Sequence, residues 1–273
     1  MTTQVYHLVY KSPFRTAFSI MTDDIGMVCT LRLQYGNHII QEETGTELVN
    51  CKSVSILREG TRFRIVFKNK SYLTDDPLYV FSSILYDHTE YDVSVLALHG
   101  AAVEWREKAY LFLAHTSGGK TTLTSYLVSC GFGYLSDDCI LVDREALTVY
   151  PSSNPIHLRR GGLNVLEDLG KAPVCQKVLT PPNERYVFMP DHIVTDPLPI
   201  GDIFFIHRNE SKNGIEEISA NQRLEALMKS PITPYHVDAE YLQLLLRVAK
   251  KGCHLLSYYD MDYVRKIIQQ PKA

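Results

Sequence analysis

Nowhere in this chain of 273 residues is there an apolar run approaching the roughly 20 residues that a membrane-spanning helix needs, which excludes an integral helical membrane protein. The first twenty residues lack a basic start, a continuous apolar stretch and a small-residue cleavage site, so no secretory signal is read there. The cytoplasm is the expected compartment. Cysteine is sparse and irregular: Cys29, Cys51, Cys130, Cys139, Cys175 and Cys253 form no CxxC or CxxxC pair. That spacing suggests neither a zinc site nor a disulfide frame, and reduced thiols are the simplest reading. An excess of one charge is missing too; at a formal net charge of -3 there is little electrostatic drive towards nucleic acid or an anionic membrane. Any affinity for phosphate must therefore be local. Internal repeats, low-complexity tracts and Gly/Ser/Pro-rich linkers are absent, and the two sequons at Asn69 and Asn209 read as chance occurrences of a short pattern.

The length is that of one large domain or two modest ones, and the 45% apolar content is enough to build a core for either. Boundaries come from the rhythm of elements. From Gln4 to about Lys70, short β-branched and aromatic runs (QVYHLVY, GMVCTLRLQY, TRFRIVFKN) read as a small, mostly β region. Asp75 or Asp76 then caps a helix entered through Pro77, with Leu78, Phe81, Ile84 and Leu85 on one face. Beyond Tyr91 the texture changes: VSVLALHG, AAVEW and KAYLFLA are successive strands, the last two joined by a tight turn. A helix from about Lys120 to Cys130 follows, closed by Gly131. Strands at CILVD, LTVY and IFFIH come next, then helices near 163–169 and 239–250, a strand at CHLLSYY and a helix from Asp260. The expected organisation is a β-rich region over 1–91 and an α/β nucleotide-binding domain over 92–273.

The segment YLFLAHTSGGKTTLTSYL has the order strand, small-residue loop, Lys-Thr, helix. This is the arrangement of a phosphate-binding loop: backbone N–H groups and a helix N-terminus face the anion, Lys120 neutralises β/γ-phosphate charge, and the Thr121 hydroxyl suits Mg²⁺. Against GxxxxGK[ST] the match runs from Ala114 to Thr121, with Ala114 in place of the first glycine. His115, Thr116, Ser117, Gly118, Gly119, Lys120, Thr121 and Thr122 are the expected nucleotide-binding residues. Downstream, GYLSDDCILVD sets Asp137 and Asp138 between a glycine-containing turn and an apolar strand. Adjacent carboxylates suit one metal-binding group and one proton acceptor, and an Asx turn is the alternative. His99 ends a strand before Gly100; alone, it reads as structural. Arg159 and Arg160 are candidates to compensate charge on a transferring phosphoryl group, with a solvated pair as the alternative. Arg185 is a candidate nucleotide contact. The guanine-reading NKxD pattern is missing, since Asn69-Lys70-Ser71-Tyr72 lacks the aspartate, so ATP is the expected nucleotide. Tyr258, Tyr259 and Tyr263 suggest an aromatic platform, although their spacing fits core packing at least as well.

Taken together, LHGAAV, AHTSGGKTTL and LSDDCILVD resemble the catalytic domain of HPr kinase/phosphorylase and its relatives over about fifty residues, with weaker similarity in PIHLRRGGLNVLEDLG. The resemblance implies an α/β (α+β) domain of the HPr kinase C-terminal type, related to phosphoenolpyruvate carboxykinase, preceded here by the small mostly-β region. It implies that His99 assists an aspartate that deprotonates a substrate hydroxyl, and that a neighbouring aspartate binds Mg²⁺ with Thr121. By position the base falls on Asp137 and the metal on Asp138, with the division between the two left open. Ser117 stands where the family's loop usually has glycine, and His157 lies near the place of an acidic metal ligand. An arginine-rich C-terminal sequence that supports the phosphorylase reaction is missing.

The β-rich region followed by this core resembles the tailoring kinases of ribosomally made peptides, among which lasso-peptide kinases phosphorylate the C-terminal residue of a precursor. The expected function is therefore an ATP- and Mg²⁺-dependent serine kinase acting on a precursor peptide, with Lys11 or Arg15 available for the peptide's terminal carboxylate. Two alternatives stay open: a kinase of another protein or of a small molecule such as free serine, and a non-catalytic ATP-dependent switch that binds peptide. Relatives form hexamers, so a homo-oligomer remains among the expected states. No nucleic-acid or membrane partner is expected.

Overall fold

The computed structural model describes residues 4–11, 16–41, 51–88, 95–115, 117–152, 154–180, 183–230 and 239–270. The chain is a mixed α/β protein with several sheets and seven α-helices among these residues. It divides into two compact units. The first takes 1–92, 153–155 and 176–189; the second takes 93–152, 156–175 and 190–273.

In the first unit, β1 (Tyr6–Lys11) and β2 (Ala17–Thr22) form an antiparallel pair, followed by α1 (Ile25–Tyr35) and β3 (Ile39–Gln41). The strands β4 (Cys51–Glu59), β5 (Arg62–Phe67) and β6 (Lys70–Thr74) form a meander, and α2 (Pro77–His88) follows. The sheet order is β3-β1-β2-β4-β5-β6, with β2 and β4 parallel and the other neighbours antiparallel. Period-2 alternation turns Leu8, Tyr10, Phe18, Ile20, Val54, Ile56, Ile65 and Phe67 to one face, where they meet Leu31 of α1 and Phe81 of α2. Full burial of each such side chain stabilises the unit by about 1.5–3 kcal/mol.

One sequence expectation is overturned here. GMVCTLRLQY, read as a strand for its β-branched and aromatic content, lies in α1. Asp24 caps that helix, its carboxylate accepting from the Met27 N–H at 2.8 Å, while Met27, Val28, Leu31 and Tyr35 face the core. Tertiary burial outweighs strand propensity.

The second unit opens with β7 (Val95–Leu98), β8 (Gly100–Trp105) and β9 (Lys108–Leu113), which leads into α3 (Lys120–Ser129). Next come β10 (Gly133–Ser136), β11 (Ile140–Asp143), β12 (Thr148–Tyr150), β13 (Ile156–Leu158) and α4 (Arg160–Asp168). The chain then contributes to the first unit the antiparallel hairpin of β14 (Gln176–Thr180) and β15 (Asn183–Phe188). This departs from the expected uninterrupted run over 92–273. Returning to the second unit are β16 (Leu198–Arg208), β17 (Gly214–Glu217), α5 (Ala220–Met228), α6 (Ala239–Ala249), β18 (Gly252–Tyr258) and α7 (Met261–Gln269).

The sheet order is β10-β8-β9-β16-β12-β11-β7, with β18 beside β16 and β17 beside β18. Strands β9, β16 and β18 are parallel. Leu111, Leu113, Ile203, Leu98, Ile140 and Val149 form a core with Leu244, Leu245 and Val248 of α6 and Leu227 of α5. Phe112 and Phe204, on the opposite pleat, stack on each other with centroids 5.9 Å apart. Among the described residues no helix is long and apolar enough to cross a membrane.

Candidate active site

The site forms where two chain segments cross between the halves of the sheet. One is the bend at His99, which joins β7 to β8. The other is the turn 137–139, which joins β10 to β11. β7 pairs with β11 and β8 with β10, so the two crossings lie side by side. Gly100 makes the first one possible: a Cβ there would lie 2.5 Å from Leu113 Cδ2 and 2.8 Å from the Phe112 carbonyl oxygen. An irregularity between Tyr134 and Ser136 shifts the register of β10 just before the aspartates. The Ser136 hydroxyl donates to the Cys139 carbonyl and closes the turn, within which Asp138 adopts φ +67°. Aspartate tolerates that left-handed conformation better than most residues.

A hydrogen-bonded chain links these segments to the loop between β9 and α3. Lys120, buried at the first turn of α3, donates to the carbonyls of Ala114 at 2.9 Å and His115 at 3.3 Å, and to His99 Nε2 at 3.1 Å. An ammonium only donates, so Nε2 accepts and the ring proton resides on Nδ1. That N–H then donates to the Asp138 carbonyl at 3.1 Å. Burial lowers the Lys120 pKa from its ordinary value, against the pull of Asp138 and Asp137. The Thr121 hydroxyl donates to Asp137 Oδ1 at 3.3 Å.

The two aspartates occupy different environments. Asp137 is 7% exposed, whereas Asp138 is exposed. Burial first, and the Asp138 carboxylate second, raise the Asp137 pKa to about 8. Hydroxyl and carboxylate oxygens are the hard donors that Mg²⁺ takes, and a buried carboxylate short of positive charge fits a bound cation. Among the described residues no three His, Cys, Asp or Glu side chains gather as a metal cage. A Mg²⁺ ion held by one or two protein oxygens, with phosphate and water completing the shell, needs none.

The other expected residues divide by position. Gly118 N–H donates to the His115 carbonyl at 3.0 Å and tightens the loop, in which Ser117 has φ +66°. Arg159 Nη1 donates to Ser117 Oγ at 3.2 Å, so this arginine sits against the loop. Arg160 pairs with Glu167 of its own helix at 3.8 Å. Thr122 faces α4, its hydroxyl 2.6 Å from where a Cβ on Gly162 would lie. Arg185 is on β15, in the hairpin assigned to the first unit, and donates to the Glu184 carbonyl at 3.3 Å. Thr116 and Arg15 lie outside the described residues. Lys11 ends β1, its carbonyl hydrogen-bonded to His38 Nδ1.

Tyr134, not singled out from the sequence, belongs beside the aspartates. Its fully buried hydroxyl accepts from the Asp137 N–H, and burial raises its pKa well above the ordinary phenol value. The signal was its place two residues before Ser136 in an apolar strand, where a phenol needs a partner.

No family model matches the chain, and no curated protein matches it. Among solved structures, similarity is found to the Hpr(Ser) kinase/phosphatase from Coxiella burnetii. The TM-score is 0.29 at 11% sequence identity, covering 63% of this chain and 90% of that one. A superposition of that quality leaves the chemistry of this chain to be read from its own residues.

Proposed function

We propose that the chain is an ATP-dependent kinase that transfers the γ-phosphoryl group to a hydroxyl, with Mg²⁺ as cofactor and a ribosomally made precursor peptide as acceptor. The observation that carries this reading is the hydrogen-bonded chain from Lys120 through His99 to the Asp137–Asp138 turn. A nucleotide-dependent switch needs the loop and the lysine. It does not need a histidine fixed in one tautomer beside two carboxylates of opposite exposure.

Lys120 supplies countercharge to the phosphates, and Arg159 stands against the loop to add more. Thr121 and the buried Asp137 would hold Mg²⁺, which neutralises charge on the phosphate oxygens when bound. The exposed Asp138 then remains to take the proton of the acceptor hydroxyl, the reverse of the division implied by the family resemblance. His99 positions that residue by donating to its carbonyl.

For the acceptor, the first unit has a groove of about 560 Å³ lined by His7, Ser19, Lys52, Ser55 and Lys68 among others. Lys68 with the hydroxyl side chains suits a peptide that ends in a carboxylate, while Lys52 donates to the His88 carbonyl at 2.6 Å.

Intact-mass spectrometry tests the reading. The protein, ATP and Mg²⁺ are incubated with precursor peptides ending in serine, with HPr protein and with free serine. A gain of about 80 Da on a precursor peptide, the mass of one added phosphoryl group, is the expected result. A gain on free serine alone replaces peptide by small molecule as the acceptor. No gain on any acceptor, with ATP bound, favours the switch.

A further inference from the structure

The parallel strands β9, β16 and β18 end at one rim, where the phosphate loop leaves β9. Their register aligns Leu113 with Phe205, and Arg208 with Tyr258, so the last residues of β16 and β18 extend past the start of the loop. The ends of parallel strands are where open α/β sheets bind ligands. Tyr258 closes this rim against the loop. It is 2% exposed, and a Cβ on Gly119, whose φ is +86°, would lie 2.8 Å from the Tyr258 hydroxyl.

The next residue is its opposite. Tyr259 is 63% exposed, an aromatic ring left in solvent beside a buried one. Its backbone is nevertheless fixed: Asn213 Oδ1 accepts from the N–H of Tyr259 at 2.8 Å and of Asp260 at 3.1 Å. The Asn209 N–H donates to the Tyr258 carbonyl at 2.8 Å and ties the end of β16 to that of β18. Arg208, also exposed, lies close enough to Tyr258 to lower its phenol pKa against the larger upward effect of burial.

Direction decides what this rim is for. His99, Thr121 and Asp137 mark the reacting end of the loop, on the side of β8 and β10. β16 and β18 lie on the other side of β9. A nucleotide with its γ-phosphate at the reacting end projects its nucleoside towards that second side.

We infer that the rim formed by the ends of β16 and β18 is the nucleoside subsite, with Tyr259 as the face on which the base stacks and Arg208 beside it. This rests on the nucleotide-binding reading of the loop. Stacking on an aromatic side chain accepts any base, because every base has a π-face.

Calorimetric titration with ATP and with inorganic tripolyphosphate, which has no base, tests the subsite. Removing a stacking aromatic costs roughly 5-fold to 100-fold in affinity per base. Tyr259→Ala is expected to weaken ATP by about 10-fold or more while tripolyphosphate stays within about twofold, and Tyr259→Phe to bind ATP as the wild type does. Lys120→Ala is expected to weaken both ligands. Wild-type ATP affinity in Tyr259→Ala, with both ligands lost in Lys120→Ala, would overturn the subsite and leave the phosphate loop standing. Equal loss of both ligands in Tyr259→Ala would overturn it too, since the tyrosine would then act through the loop. Failure of the wild type to bind either ligand would remove the loop reading and the subsite together.

Discussion

His99 touches both Lys120 and the aspartate turn, which makes it the side chain whose loss separates positioning from binding. The expected outcome for His99→Ala is an intact fold, nucleotide affinity within a few-fold of wild type, and a rate of phosphoryl transfer lower by about 10² to 10⁴. Steady-state kinetics alongside calorimetry would show the split, and full activity would return His99 to a structural role. Asp137 and Asp138 should fail differently. Asp137→Asn is expected to raise the Mg²⁺ concentration needed for half-maximal activity by about tenfold or more, the loss of a charged oxygen ligand. Asp138→Asn should leave that requirement in place. Ser117 is a strained position of the loop, at φ +66° without being glycine. Ser117→Gly relieves about 1–2 kcal/mol of left-handed strain and gives back about 0.5–1 kcal/mol of unfolded-chain entropy. Denaturant titration should show it to be neutral to slightly stabilising.

How much of this was legible depends on how local each signal was. The strand, loop and helix around Lys120 were readable because glycines, Lys and Thr follow one another within a single turn. The helix α2 was readable from Pro77 and its apolar spacing. The helix α1 was not, although Asp24 stands where a cap should; a run rich in β-branched and aromatic residues concealed a helix held by its neighbours. The contact between His99 and Asp138 joins residues far apart in sequence, and no spacing reveals it. The family resemblance paired His99 with an aspartate of this turn, assigned by position to Asp137, whereas the contact made is to the backbone carbonyl of Asp138.

Two elements of the second unit have a test each. Gly100 is packed on three sides, so Gly100→Ala should destabilise the second unit by about 1–3 kcal/mol through overpacking, read by chemical denaturation. The turn after β11 depends on Asp143. Its carboxylate accepts from the N–H groups of Glu145 at 2.9 Å and Ala146 at 2.7 Å and from the Tyr150 hydroxyl at 2.8 Å. The Ala146 bond, then that of Tyr150, lowers its pKa. Folding therefore favours the ionised form. The resulting stability is full above the unfolded value of about 3.9 and is lost as pH falls through the lower folded value. Asp143→Asn should cost about 1 kcal/mol at pH 7, and the gap between variant and wild type should narrow below about pH 3. A gap that is constant with pH would mean the charge contributes nothing.

The sequence offers a change of texture near Tyr91, while the first of the two units takes 1–92 and also 153–155 and 176–189. That membership has no local signal, because a hairpin distant in sequence joins the first unit through contacts that no local pattern announces. Two units also allow acceptor recognition to be separated from chemistry. In the first, Lys68 stands at the groove, its ammonium 5.4 Å from the centroid of the Phe67 ring. Lys68→Glu is expected to raise KM for a precursor peptide by about tenfold, a typical cost of opposing a carboxylate with like charge, while leaving ATP affinity unchanged. An unchanged peptide KM would remove the groove from the account.

The central claim is that one site both binds the nucleotide and moves the phosphoryl group. It is tested most directly by measuring ATP affinity and single-turnover transfer to a precursor peptide side by side in the wild type and in Asp138→Asn. Asparagine keeps the left-handed backbone that this turn requires. The account predicts affinity within about threefold and transfer reduced by at least about 10², the contribution of a positioned base. Transfer at the wild-type rate would contradict it.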